Sequence, residues 1–452
     1  MKKSNNKVLI IVAVVLLNVL VLYMIGQSLL GKASKYDLTL AEARSYAEQE
    51  LCSKSIAKYN EALIIKDTLS VRLEMLDVYE KGLDIGEFTN SYDIFTAVST
   101  MVETYREDAV AYEEACTLFM KYSKYEECAK ALMLARDLHV TSDKIEEFRN
   151  QVRYQYTKYF AMYTDVLPSY NGMYTVATDG NYTFLNDEGS PDFNGTFIAA
   201  SSFSEGYAFV KAHHPDGKER SIIINKEGER QAYLNGVESS SGVGAAKDKD
   251  GNKLLLLSVK VGERYKYYNI EGKEVFGDYA FAGRFRNNVA AVMESEGKWK
   301  LIDGTGKTIV DKTFSDVVLN EFDECAPKGL IIAKEGNKYH LYDHKGQQIG
   351  DFACDGAKAF VDDYAAFKSG DLWGFVDSKG NVIIEPQYED AKSFSYNMGG
   401  VKTSGGWVFV NPSNEIVIQE TFEDVDYLND KGICFVKSDG YWCYLKMYYT
   451  GK

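Results

Sequence analysis

The 452-residue sequence lacks the motifs that usually mark a catalytic or nucleotide-binding protein. It has no G-x-S-x-G, no Walker A loop, no G-x-G-x-x-G after a strand and no H-E-x-x-H. Histidine is scarce, at five residues, and the seven cysteines include no C-x-x-C pair. An odd, scattered set of cysteines fits neither a disulfide framework nor a zinc site, and indicates buried thiols. We therefore predict no enzymatic activity, no metal and no cofactor.

Proline is also scarce, at 6 residues. Acidic residues outnumber basic ones, so the net charge is −15 and the pI is about 5.0. An acidic chain repels phosphate backbones, so we predict no nucleic-acid partner. Aromatic residues are abundant, with 33 Tyr and 23 Phe, and this composition favours β-structure over helical bundles.

One stretch lacks charge altogether. Residues 8–30 contain no Asp, Glu, Lys or Arg, and about 20 such residues suffice to cross a membrane as a helix. Lys2, Lys3 and Lys7 precede the stretch, so the positive-inside rule places residues 1–7 in the cytoplasm. The sequence thus predicts a single-pass cell-membrane protein whose C-terminal region is extracytoplasmic. The alternative is a signal peptide cleaved near Gly31-Lys32-Ala33, although the apolar run is long for one.

Residues 36–160 show a helical period. Residues 109–122 read as one helix and residues 125–138 as the next, with a short polar break between them. The Ala-rich segments around Ala57 and Ala129 lie 72 positions apart, about two steps of a helix-turn-helix solenoid. The region weakly resembles tetratricopeptide repeats, and a plain helical bundle is the alternative. Either form implies an interaction or spacer module.

Residues 163–452 repeat a turn signal. An Asn or Asp ends a short apolar strand, and a Gly follows three residues later, or an Asn in the last complete case. Such an Asx side chain accepts a hydrogen bond from the backbone two residues on, while Gly supplies positive φ. The steps between successive anchors are 39, 44, 34, 40, 34 and 34 residues. The anchors are Asn186, Asn225, Asn269, Asp303, Asp343, Asp377 and Asn411.

An aromatic residue recurs at a fixed distance before the turns. In a final, degenerate unit Lys446 takes the anchor position, and the residue four positions before the anchor is then aromatic in seven of eight units, with Ser221 as the exception. All four Trp of the protein hold this position, which favours a role in the core over a ligand platform. Alternation along a strand puts this aromatic and the residue two positions on, such as Trp373 and Phe375, on one face. These structural repeat aromatics are Tyr182, Tyr265, Trp299, Tyr339, Trp373, Trp407 and Trp442.

Each unit contains about four short strands. In the sixth they read CDGAKAF, YAAFKS, LWGFVD and NVIIE between Cys354 and Glu385. We count eight units, of which the last ends short of a full fourth strand, and the third contains a long Gly- and Ser-rich stretch at residues 236–253. Four-stranded units in series predict a 7–8-bladed β-propeller, with a β-solenoid as the alternative.

The residues of this region resemble the WG-repeat motif of bacterial β-repeat proteins. Residues 373–377 read WGFVD, and Lys379-Gly380 and residues 383–386 (IIEP) complete the motif. Residues 203–206 match its Phe-Ser-Glu-Gly segment. The resemblance implies a β-repeat fold and a bacterial source; it implies no activity.

No local cluster suggests chemistry. His213-His214 lies in a polar loop, and Asp248 opens a calcium-like sequence that lacks the Glu required at its twelfth position, Val259. The carboxylate pairs Glu389-Asp390 and Glu423-Asp424 recur with the repeats, which indicates turn chemistry. The sequence therefore predicts a membrane-anchored extracytoplasmic scaffold that binds a protein or envelope polymer. The alternative is an envelope enzyme whose site lies in the propeller channel, built from several units.

Overall fold

A computed structural model describes residues 31–32, 34–167, 169, 173–186 and 189–448. The predicted transmembrane segment 8–30 and the cytoplasmic segment 1–7 lie outside these residues. None of the helices described has the length and apolar character needed to span a membrane. The chain divides into two compact units, residues 1–152 and 153–452.

The first unit is helical. Consecutive helices from α2 to α7 pack against one another, and α1 shares a hydrophobic cluster with α2 and α3. The break between α5 and α6 lies where the sequence predicts it. Ala57 is exposed whereas Ala129 is buried, so these two alanines differ in their packing. The described helices are 34–48 (α1), Cys52–Ile65 (α2), Leu69–Asp84 (α3), Tyr92–Thr104 (α4), Ala109–Lys121 (α5), Tyr125–Asp137 (α6) and Asp143–Val152 (α7).

The second unit is an eight-bladed β-propeller built from antiparallel sheets. Blade 1 contains β2 (Asp165–Leu167), β3 (Tyr174–Thr178) and β4 (Asn181–Leu185), and blade 2 contains β5 (Ala199–Ala200), β6 (Tyr207–His213), β7 (Glu219–Asn225) and β8 (Arg230–Tyr233). Blade 3 contains β9 (Ser239–Lys247), β10 (Lys253–Val261), β11 (Arg264–Asn269) and β12 (Glu274–Tyr279). Blade 4 contains β13 (Phe281–Ala282), β14 (Ala290–Ser295) and β15 (Lys298–Ile302). Blade 5 contains β16 (Asp316–Val317), β17 (Leu330–Glu335), β18 (Lys338–Asp343) and β19 (Gln348–Cys354), and blade 6 contains β20 (Gly356–Ala357), β21 (Tyr364–Ser369), β22 (Leu372–Asp377) and β23 (Val382–Tyr388). Blade 7 contains β24 (Asp390–Ser395), β25 (Met398–Thr403), β26 (Gly406–Val410) and β27 (Ile416–Phe422). Blade 8 contains β28 (Asp424–Val425), β29 (Ile433–Ser438) and β30 (Tyr441–Met447).

A strand from the start of the unit completes the last blade. β1 (Tyr156–Tyr163) pairs antiparallel with β30, so that Tyr156 lies opposite Met447 and Tyr159 opposite Tyr444. The rings of Tyr159 and Tyr444 stack with their centroids 4.9 Å apart. The two ends of the repeat region therefore meet in a closed ring, which excludes the β-solenoid. The first strand also begins inside the range 36–160 that the sequence assigns to helix.

The repeated turns confirm the Asx mechanism. In Asp377 the side-chain Oδ1 accepts hydrogen bonds from the backbone N–H of Lys379 at 2.9 Å and of Asn381 at 2.8 Å. Asn225, Asp303 and Asp343 make the same pair of bonds. Gly380 has φ 89°, the left-handed conformation that closes this turn. The turn is thus a structural device that sets the register of the third and fourth strands.

The repeat aromatics lie on the third strand of every blade except blade 2, at the edge of the core between blades. Trp407 is buried, but the other six are only partly buried. The residue two positions on is the one that is enclosed, as Phe375 shows by having no exposed surface. Phe375 packs edge-on against Phe394 of the next blade, with centroids 4.7 Å apart.

Truncation of two of the repeat aromatics should therefore have unequal effects. We expect Trp407→Ala to lower the free energy of unfolding by about 3 kcal/mol, because Trp407 is buried. We expect only about 1 kcal/mol for Trp373→Ala, because Trp373 remains partly exposed. Urea unfolding followed by circular dichroism measures both. Equal losses would contradict this assignment of the core.

The seven cysteines are buried free thiols. The sequence spacing allows Cys434 and Cys443 to face each other across a hairpin; they lie on the neighbouring strands β29 and β30 but are not opposite each other. Cys434 lies opposite Leu445, and Cys443 lies opposite Val436.

Candidate functional site

Loops of different length gather on one face of the propeller. Because adjacent strands are antiparallel, the loops after each first strand and the Asx turns emerge on the same face, which we call the mouth face. A cavity of about 480 Å³ opens there and is lined by first-to-second-strand loops. Loops from six blades meet in one cavity only around the propeller axis, so this cavity is the mouth of the channel. Its lining includes Ser169 of blade 1, Arg286 of blade 4, Glu321 and Phe322 of blade 5, Asp362 of blade 6, Tyr396 of blade 7, and Asp426 and Tyr427 of blade 8.

Tight turns form part of this face. Tyr396 and Asn397 both have positive φ, 49° and 62°, which is the conformation of a two-residue type I′ hairpin turn. Asn287 and Asn288 do the same in blade 4. In blade 2, Glu205 and Gly206 occupy the equivalent turn, so the Phe-Ser-Glu-Gly segment is a hairpin of the mouth face.

The blade 5 loop is much longer, covering residues 318–329. Asn320 organises it, because its Oδ1 accepts hydrogen bonds from the backbone N–H of Phe322 at 3.0 Å and of Glu324 at 2.9 Å. This Asx turn projects Glu321 and Phe322 into the cavity. The loop is therefore held by local bonds even though it lies outside the strands.

A buried ion pair ties this loop to blade 4. Arg284 and Glu324 have side chains that are 0% and 1% exposed, and Arg284 Nε donates to Glu324 Oε1 at 3.1 Å. Asn320 Nδ2 donates to the other carboxylate oxygen at 3.2 Å. The Arg284 guanidinium also lies over the ring of Phe322, 4.6 Å from its centroid. Both charges are compensated, as buried charges must be.

Blade 3 leaves room for this arginine. Arg284 Nη1 donates to the carbonyl oxygen of Ser241 at 3.3 Å. A Cβ on Gly242 would lie 3.1 Å from Arg284 Nη1, and a Cβ on Gly244 would lie 2.5 Å from the carbonyl oxygen of Phe285. The Gly- and Ser-rich stretch thus includes the inner strand β9, and the absence of side chains at Gly242 and Gly244 leaves space for Arg284 and the adjacent backbone.

One hydrogen bond crosses between distant blades. Tyr427 of blade 8 donates its hydroxyl to Glu321 Oε1 of blade 5 at 2.9 Å. Burial and the Glu321 carboxylate raise the pKa of Tyr427 well above its ordinary value, so the phenol stays protonated and remains a donor. Because two blades separate its partners, this bond narrows the mouth of the channel.

Asp426 lies beside that bond, in the wall of the cavity. Burial raises the pKa of its carboxyl to about 6, and the nearby Glu321 carboxylate adds to the rise, while Lys392 opposes it. Lys392 itself pairs with Asp424, at 3.3 Å. The carboxyl of Asp426 thus changes charge near pH 6, and a carboxyl with a pKa raised in this way is a candidate functional group.

Contacts between neighbouring blades complete the rim. Lys328 of blade 5 pairs with Asp362 of blade 6 at 3.1 Å, and Asp362 Oδ2 accepts the backbone N–H of Tyr396 in blade 7 at 3.3 Å. Asn429 Nδ2 of blade 8 donates to the hydroxyl of Tyr174 in blade 1 at 2.8 Å. Polar contacts at the rim therefore join blade 5 to blade 6, blade 6 to blade 7 and blade 8 to blade 1.

The mouth residues differ from those that the sequence singles out. The repeat aromatics lie on third strands and do not line the cavity. Asp248 closes the β9–β10 hairpin, with its Oδ1 accepting from Asp250 and Asn252, as expected of a turn. The residues of the mouth do leave one signal in the sequence. The step between anchors Asp303 and Asp343 is 40 residues against 34 in the next two, and the extra length lies in the blade 5 loop.

The raised pKa of Asp426 predicts an effect on stability. In the folded state its carboxyl ionises near pH 6, whereas in the unfolded chain it ionises near pH 4, so stability falls as pH rises through this window. We expect Asp426→Asn to raise the free energy of unfolding at pH 7.5 by at most about 3 kcal/mol, and the gain to disappear at pH 4. Urea unfolding followed by tryptophan fluorescence reports on the propeller, which contains all four Trp.

The control for this measurement is Asp371→Asn, which removes one charge from an exposed turn on the opposite face. It should leave stability unchanged at both pH values. A gain for Asp426→Asn that is the same at pH 4 and pH 7.5 would contradict the assigned cause.

Comparison with known families identifies the repeats. The family described as "WG containing repeat" matches residues 267–299, 341–373, 373–407 and 409–442. Each match runs from the third strand of one blade to the third strand of the next, so one sequence repeat contributes to two blades. The C-terminal region of the chain therefore contains WG repeats, and the resemblance found in the sequence is confirmed there.

Solved structures with a similar course of the chain are distant in sequence. BamB from Moraxella catarrhalis is 12% identical, with 64% of this chain and 99% of that chain covered, at a TM-score of 0.43. The WD40 domain of SCAP from fission yeast is 10% identical, with 65% and 96% covered, at a TM-score of 0.40. The Neurospora crassa Pan2 WD40 domain is 10% identical, with 63% and 88% covered, at a TM-score of 0.35. No curated protein shows significant sequence similarity to the chain.

Proposed function

From the premise that WG repeats build this closed propeller, we propose that the chain is a binding scaffold that receives a protein partner at the mouth face. The observation that carries the proposal is the cavity of about 480 Å³, because its lining comes from loops that differ between blades. The repeated residues, by contrast, form turns and core. Pockets of this size with a few convergent polar groups are typical binding sites.

The mouth offers both kinds of contact that a protein interface uses. Tyr396, Tyr427 and Phe322 provide aromatic surface, and aromatic residues are enriched where binding energy concentrates. Asp362 and Lys328 provide a charged rim. The helical unit is a second interaction module in this proposal, with tetratricopeptide-like packing as its proposed form.

The scaffold is further proposed to be anchored in the membrane by residues 8–30, with both folded units outside the cytoplasm. The uncharged run and the preceding lysines support this. Protease added to intact cells should then cleave the chain beyond residue 35. Cleavage that appears only after lysis would show that the folded units lie in the cytoplasm, which is the opposite orientation.

The test of partner binding uses a photo-reactive amino acid in the full-length chain in its native cells. Placed at Tyr396, on the mouth face, it should give a discrete cross-linked protein adduct. Placed at Asp371, on the opposite face, it should give none of that adduct. The same adduct from both positions, or none from Tyr396, would reject the mouth as the binding face.

An enzyme with its site in the channel is the second candidate, and Asp426 is the observation that favours it. A carboxyl with a raised pKa beside a second carboxylate is an arrangement that acid–base enzymes use. Turnover of an envelope polymer that is lost in Asp426→Asn but retained in Asp371→Asn would favour the enzyme over the scaffold.

A further inference from the structure

We propose that the channel mouth binds a cationic side chain, arginine or lysine, presented by the partner protein, with Asp426 and Glu321 as its acceptors. This inference rests on the proposed function and names the chemistry of the contact. In addition to a partner protein at the mouth face, it specifies that the pocket binds a positively charged side chain of that partner.

The two acceptors line the same cavity. Asp426 and Glu321 are close enough for the charge of Glu321 to disfavour ionisation of Asp426. Within the part of the chain that the structure describes, neither carboxylate has a lysine or arginine as an ion-pair partner. The local lysines are engaged with other carboxylates, Lys328 with Asp362 and Lys392 with Asp424.

The remaining groups around Asp426 do not neutralise it either. Asp424 precedes it on β28, and its charge opposes ionisation of Asp426. Cys434 on β29 donates its thiol to the backbone carbonyl oxygen of Asp426 at 3.2 Å, and burial raises the pKa of this thiol, so Cys434 adds no positive charge. Tyr427 donates to Glu321 as a neutral phenol. The charged side chains that line the cavity have a net negative charge, because the two cations Arg286 and Lys328 are outnumbered by the carboxylates of Glu321, Asp362, Asp426 and Asp430.

The walls also suit a cation. Tyr396 and Tyr427 line the same cavity as the acceptors. Aromatic faces attract guanidinium and ammonium groups, and the attraction grows where water is excluded. Glu321 Oε1 already receives the hydroxyl of Tyr427, which fixes the acceptor in place before a ligand arrives. A neutral or anionic ligand would leave the repulsion between the two carboxylates unrelieved.

Binding of a cation should depend on pH with a known sign. A cation stabilises the ionised form of Asp426, so below about pH 6 the carboxyl must lose a proton for binding to occur. At pH 5 only about one carboxyl in eleven is ionised in the free protein, so affinity should fall roughly tenfold between pH 7.5 and pH 5.

The experiment measures fluorescence anisotropy of labelled pentapeptides with the full-length chain. One peptide has arginine at its centre, flanked by glycine, and the other has citrulline, which is nearly the same shape but neutral. We expect the arginine peptide to bind at least tenfold more tightly at pH 7.5, and to lose roughly tenfold at pH 5. Asp426→Asn should weaken the arginine peptide roughly tenfold and abolish the pH dependence.

Asp371→Asn is the matched control, because it changes the net charge equally on the opposite face. It should leave binding unchanged. Equal affinity for arginine and citrulline, or an equal loss in Asp371→Asn, would overturn the inference. If cross-linking from Tyr396 still succeeds in that case, the mouth remains the partner site and only its charge selectivity fails. If both experiments fail, the proposed function fails with it.

Discussion

Replacing Arg284 with methionine is expected to lower the free energy of unfolding of the propeller by about 3–5 kcal/mol, because it leaves the charge of Glu324 buried without its partner. The two side chains are almost completely shielded from water. Methionine fills much of the same volume, so the loss reflects the orphaned carboxylate more than a cavity. Urea unfolding followed by tryptophan fluorescence measures it.

Two further variants identify the cause. Arg284→Met combined with Glu324→Gln removes both charges and should recover most of the lost stability. Arg264→Met removes the arginine of an exposed pair with Asp278 in blade 3 and should cost less than about 1 kcal/mol. A double variant as unstable as Arg284→Met alone would show that shape, and not charge, is what blade 4 requires.

Removal of β1 is expected to have the largest effect. A chain that begins at Arg153 contains every strand of the ring and should fold with a β-rich circular dichroism spectrum. A chain that begins at Thr164 lacks the outer strand of blade 8 and exposes the edge of β30. We expect it to aggregate, or to melt more than about 10 °C lower than the longer chain.

A peptide of residues 153–163 added during refolding should restore the shorter chain, since β1 contributes through pairing and not through the connection to its neighbours. The stacked rings of Tyr159 and Tyr444 provide a control peptide, Tyr159→Ala, which should restore it less well. Identical melting of the two chains without any peptide would contradict closure by β1.

The repeats made much of the propeller predictable. The Asx anchors located the turns between the third and fourth strands of blades 2, 3, 5, 6 and 7, and in the sixth unit the predicted segments 364–369 and 372–377 are the observed β21 and β22. Local hydrogen bonds and alternating faces carry this information, so a single sequence contains it. The same reasoning placed the largest aromatics in the core, whereas most of them lie at its edge. Alternation identifies a shared face but not how deep each residue on that face lies.

The mouth was less predictable because its parts are far apart in sequence. Glu321 and Tyr427 are 106 positions apart, and no periodic pattern links them. Arg284 and Glu324 meet only because blades 4 and 5 are neighbours in the ring. Departures from the repeat are the usable signal: the 40-residue step marks the blade 5 loop, and the 44-residue step marks the long β9–β10 hairpin that accommodates Arg284.

Closure of the ring by its first strand has a consequence for the order of events during synthesis. Tyr156 and its partner Met447 are 291 positions apart, so at roughly 5–20 residues per second β1 leaves the ribosome roughly 15–60 s before β30 exists. Throughout that interval a nascent chain carries an unpaired strand with Phe160 and Met162 exposed, as they are in the finished protein. Such a strand pairs readily with other chains, so the interval of greatest aggregation risk ends only when the last blade has been made.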